Sequence, residues 1–264
     1  MASPIDALIE DLGAEHSHLH EMISGRQDEE LVNATLAEGW SVVDQLSHLA
    51  GFDESAALAL VDPEGFTTEL AQLIEAGEDP IVGYTDRGRS MSPTQVVSWW
   101  NRASAALLTA CQAADPAVRV PWYGPAMSPM SFITARLMET WAHGVDIADA
   151  WSEPIIGTAR LRHVCHIGVG ARRYSYAVRG LDLPDVDVRV ELTGPAGDVW
   201  TWGSSATEVV RGDALDFALV VVQRRHRNDT SLVIVGDAAI EWMSFAQAFA
   251  GGPGAGRPHS SDHS

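Results

Sequence analysis

Apolar residues recur at intervals of three and four through the first part of the chain and alternate through much of the last part, so the period itself divides the molecule. Over 5 to about 23 the stripe Ile5, Leu8, Ile9, Leu12, Leu19 and Met22 predicts an amphipathic helix. A second helix is predicted from Ser41, an N-cap with Asp44 three residues on, to Val61, where Pro63 ends it. Ser92 and Pro93 open a third, with Val96, Val97, Trp100, Ala103 and Leu107 on one side; Ser128 and Pro129 open a fourth, with Ile133, Leu137, Trp141 and Ile147. A fifth helical stretch, 158 to about 178, is followed by "VDVRVELTG", "DVWTWG" and "TSLVIVG", which alternate or run β-branched as strands do. Short helices are expected among them at 214–224 and 238–249.

The predicted class is therefore α+β. A four-helix bundle spans 1–155, an additional connecting helix 156–184 and a small α+β domain 185–250; the Gly-, Pro- and Ser-rich tail 251–264 is expected to be disordered. With 46% hydrophobic residues the chain can bury a sizeable core. The net charge of -19 repels phosphate backbones and anionic lipid, which argues against nucleic acid and membrane as partners. The opening "MASPIDALIEDLG" has no basic segment leading into a long apolar one, and the longest apolar run, 217–222, is too short to span a bilayer. The two cysteines, Cys111 and Cys165, form neither a disulfide framework nor a CxxC pair, and a reducing cytoplasm is expected.

"LMETWAHGVDIADA" places Glu139 and His143 four residues apart on the fourth predicted helix, about 40° apart around the axis and about 6 Å apart along it. Bundles build metal sites from side chains on facing helices, and the second helix offers His48. Two imidazoles and a carboxylate suit a borderline dication such as zinc and leave a coordination position open. Spacing alone equally allows two polar residues on a wet helix face and a hydrogen-bonded core histidine.

"GWSVVDQLSHLAGFDESA" followed by "ARLMETWAHGVDIADA" resembles the DinB-like metal enzymes, in the branch that contains mycothiol-dependent maleylpyruvate isomerase. "VPWYGPAMS", "LRHVCHIGVGARR" and "VQRRHRNDTSLVIVGDAAIEW" are similar to an actinobacterial group of metal-binding proteins within it. The resemblance covers nearly the whole chain and implies a DinB-like bundle joined to an α+β domain, with a metal held by His48, Glu139 and His143. It also implies an enzyme that uses mycothiol as thiol cosubstrate for isomerisation or S-transfer on a small electrophile. Arg224 and Arg225 match a C-terminal-domain arginine that reaches the site, although a basic helix end serves as well.

Arg136 is a candidate for contacting the thiol cosubstrate, or for an ordinary interhelical salt bridge. Trp122 and Tyr123 could wall the pocket or simply pack their loop. Asp44 could orient the His48 ring or cap its helix. His259 and His263 fall in the tail and carry no expected role. Two rival functions stand beside the thiol enzyme: a thiol-independent metal hydrolase, and a non-catalytic small-ligand binder whose metal only braces the bundle.

Overall fold

The computed structural model describes residues 3–260 and contains the expected helical bundle and small α+β portion. The chain separates into two units, 1–155 and 156–264. The first holds α1 (Pro4–Ile23), α2 (Asp28–Leu31), α3 (Val42–Val61), α4 (Pro63–Ala76), α5 (Pro80–Arg89), α6 (Pro93–Ala113) and α7 (Pro129–Ala150). The bundle proper is α1, α3, α6 and α7: α3 packs on α6 and α7, and α1 packs on the same two.

Its long helices begin where the sequence marks them. Ser3 with Asp6, Ser41 with Asp44 and Ser92 with Gln95 form reciprocal capping boxes, and Ser128 caps α7 with Pro129 at the first helical position. Asp44 is thus a capping residue, and its other oxygen accepts from Arg89 Nε at 2.8 Å.

Two elements between Pro63 and Ser92 have no counterpart in the periodicity. Asp62 caps α4 and Asp79 caps α5, each with proline next, and both helices lie on α3. Together with α6 and α7 they cover α3 so fully that every residue from Val42 to Asp53 is buried. A helix enclosed on all sides loses the one-sided pattern that would reveal its neighbours.

The second unit holds α8 (Leu161–Gly170), α9 (Arg172–Ala177), β1 (Arg189–Thr193), β2 (Val199–Trp202), β3 (Val209–Asp213), α10 (Ala214–Val221), β4 (Val233–Val235) and α11 (Asp237–Phe245). The fifth predicted helix is two, broken at Ala171. The sheet order is β2-β1-β3-β4, with β1 and β3 parallel and both outer pairs antiparallel. β3 is absent from the sequence prediction, and α10 packs against it and β1.

The described part of the tail, 251–260, has no regular structure but is hydrogen bonded rather than loose. Tyr174 Oη donates to Gly251 O at 2.6 Å, Arg179 to Gly254 O at 2.8 Å, and the Gln247 amide to Gly252 O at 3.0 Å. Protein donors here satisfy backbone carbonyls that composition alone would leave to water. The rest of the expected disordered tail, 261–264 with His263, lies outside the described residues. Among the described residues, no helix is long and apolar enough to cross a membrane.

Candidate metal centre

His48 comes from the middle of α3, and Glu139 and His143 lie one turn apart on α7, which packs on α3. Glu139 Oε2 stands 3.7 Å from His48 Nε2 and 3.4 Å from His143 Nε2. Two ligands each about 2.1 Å from a tetrahedral ion lie about 3.4 Å apart, so the carboxylate oxygen stands near that spacing from both ring nitrogens, and all three atoms lie within 4.8 Å of one another. Among the described residues the group contains three donors of this kind, with no fourth.

The protonation of the rings fits the same use. Gln45 Oε1 accepts from His143 Nδ1, which puts the ring proton there and leaves the Nε2 lone pair toward Glu139. Gln45 is fully buried one turn before His48, and its amide nitrogen donates to Thr35 Oγ1 at 3.0 Å. Burial, and next the neighbouring His143 ring, push the His48 imidazole down to about 4, so it is neutral at pH 7. Burial alone would raise the Glu139 carboxyl; the neighbouring His143 and His48 rings and the Arg136 charge outweigh it and hold the group well below the usual carboxylate range. One anionic oxygen and two neutral imidazoles is the donor set a borderline dication takes.

Aromatic rings wall the triad. Trp40 stacks on His143 with centroids 6.1 Å apart, and Phe52 lies 4.6 Å from His48. The Glu139 side chain keeps 26% of its exposure, so the site opens toward solvent on the carboxylate side. Neither Trp40 nor Gln45 carries a signal in the sequence, because their role depends on the loop before α3 and on a tautomer.

Arg136 is buried, and its Nε and Nη2 donate to Asp53 Oδ1 at 3.2 and 2.8 Å. Trp122 stacks on Phe66 at 5.6 Å and meets Phe132 edge-on. Tyr123 Oη bonds Ser55 Oγ and Tyr84 Oη, both at 3.2 Å, and Phe52 bridges these rings to His48. Arg224 and Arg225 follow α10 in the second unit, where their Nη1 groups donate to Val222 O and Arg224 O at 2.8 and 2.7 Å.

Residues 12–148 match the profile of the mycothiol maleylpyruvate isomerase N-terminal domain. An uncharacterized protein of Mycobacterium tuberculosis, present in two strains, is 38% identical over 262 residues, which cover 97% of this chain and all of the relative. Two crystal structures of mycothiol-dependent maleylpyruvate isomerase share the fold. One superposes with a TM-score of 0.56 at 16% identity, covering 88% of this chain and 93% of the other. A histidine-to-alanine mutant gives 0.57 at 14%, covering 84% and 90%.

Proposed function

Because this chain belongs to the mycothiol maleylpyruvate isomerase N-terminal domain family, we propose that it is a divalent-metal-dependent enzyme that activates a low-molecular-weight thiol, mycothiol, for isomerisation or S-transfer on a small electrophile. The observation that carries this reading is the triad His48, Glu139 and His143, with two Nε2 atoms 3.7 and 3.4 Å from one carboxylate oxygen and the carboxylate side open. Zinc is the metal this donor set fits best. When bound there, a dication supplies Lewis acidity that brings a thiol, ordinarily near pKa 8.5, into its nucleophilic thiolate form at neutral pH.

The protein residues do the rest. Gln45 holds the His143 tautomer, Glu139 contributes the negative charge that retains a cation, and Trp40 and Phe52 screen the rings from water. In the isomerase case the sulfur adds to a double bond conjugated with a carbonyl, the resulting single bond rotates, and elimination regenerates both the double bond and the thiol. In the transferase case the sulfur stays on the product. Trp122 and Tyr123 are assigned to the aromatic wall continuous with Phe52. Arg136 is assigned to the buried pair with Asp53, and Arg224 and Arg225 to recognition of a substrate carboxylate, for which a guanidinium is the matching shape.

The test is turnover of small conjugated electrophiles by zinc-loaded protein with and without mycothiol. Turnover should require the thiol; equal rates without it would reject the reading in favour of a hydrolase. His48→Ala should lose both zinc and turnover while its circular dichroism spectrum stays that of the parent.

A further inference from the structure

A second group of metal-ligating side chains lies in the other unit. His226 precedes the 3-10 turn Arg227–Asp229, Asp229 ends it, and His259 comes from the tail; each offers one ligand atom, and these lie within 4.8 Å of one another. The His226 and His259 rings are 5.4 Å apart at 33°.

The tail reaches this point by being held at two places. Tyr174, Arg179 and Gln247 fix 251–254, and Asp229 fixes the end: Oδ1 accepts from His259 Nδ1 at 2.6 Å and from Ser260 Oγ at 2.6 Å, and Oδ2 from Ser260 N at 3.1 Å. These bonds, led by the Ser260 hydroxyl, keep the Asp229 carboxyl below its ordinary value. His259 Nδ1 and Asp229 Oδ1, 2.6 Å apart, share one ring proton, and a cation bound between them would take its place. His226 takes the Asn228 N–H at 3.2 Å, a long bond that coordination can displace. The side chains of Asp229 and His259 keep 17% and 30% of their exposure, enough for an ion to enter from solvent.

We infer that His226, Asp229 and His259 form a second cation site, selective for borderline dications such as zinc or nickel, that clasps the C-terminal tail to the second unit. Two imidazoles and one carboxylate, all surface-accessible, favour such ions over the hard cations that need more oxygen donors. The site is independent of the thiol chemistry and shares no residue with the bundle triad.

The experiment is zinc titration by calorimetry of the tag-free full chain carrying His48→Ala and His143→Ala, which removes the bundle site. One equivalent of zinc should still bind. Adding His259→Ala or His226→Ala should weaken that binding at least tenfold, whereas His18→Ala, on α1 in the other unit, should leave it unchanged. In parallel, zinc should slow amide exchange over 251–260 in the doubly substituted chain and not in its His226→Ala derivative. Absence of the retained equivalent, or its survival with both His226 and His259 replaced, would overturn the proposal and leave the thiol reading untouched.

Discussion

Gln45 governs the site without offering a charge to it. Its carbonyl decides which nitrogen of His143 carries the proton, and a hydrogen-bond partner of this kind is typically worth 10–100-fold in metal affinity. Gln45→Leu should therefore weaken zinc binding by about that factor with little change in helix content, read by competition with a chromophoric chelator. The buried pair Arg136–Asp53 makes a different point. Arg136→Met leaves the Asp53 carboxylate unpaired in the interior and should destabilise the protein by about 3–5 kcal/mol in urea unfolding, whereas pairing it with Asp53→Leu should recover most of that loss. The residue types at the candidate metal centre were legible in sequence: an i, i+4 Glu and His, a histidine on a facing helix, and motifs resembling a known family. What each touches was not. Arg136 gives no sign in one dimension that its partner is Asp53, and Gln45 sits in a run of buried residues where no position stands out.

Among the elements, α5 shows most plainly how packing fixes a position that periodicity misses. Gly51 on α3 leaves a notch filled by the Tyr84 ring of α5, and a Cβ added at 51 would clash with the Cγ edge of that ring. Tyr84 Oη in turn bonds Ser55 Oγ at 2.6 Å, so the notch and the hydroxyl together set where α5 lies on α3. Gly51→Ala should cost about 1–3 kcal/mol by overpacking, measured as a lowered Tm, and adding Tyr84→Ala should return part of the loss. The long capped helices were readable because cap, proline and apolar stripe agree. α4 and α5 were not, since proline at position 63 reads as a stop while here it begins the next helix after Asp62. β3, two valines followed by Arg211, Gly212 and Asp213, is too polar at its end to announce a strand; its place between β1 and β4 is set by the sheet.

At the scale of the whole molecule, acid should act through buried imidazoles as well as through the net charge of -19. Burial pushes His16 below its ordinary value, with the Asp53 charge opposing, and neither ring nitrogen has a hydrogen-bond partner among the described residues. Below about pH 6.5 the unfolded chain takes up a proton that the folded ring refuses. The stability from keeping this ring neutral is thus complete above that pH and declines as pH falls toward the folded value. The urea midpoint of metal-free protein should drop between pH 7 and pH 5, and His16→Phe should flatten part of that slope. The division into a helical unit and a sheet-bearing one followed from the change of period, but the tail's attachments did not, because they depend on where Tyr174, Arg179 and Gln247 point. Those attachments bear on how the protein can be edited. Deletion from Gly251 onward strips two hydrogen bonds from a glutamine that is 1% exposed and one from the arginine beside it. A shortened version designed to remove an untidy end would instead carry a wound in its second unit.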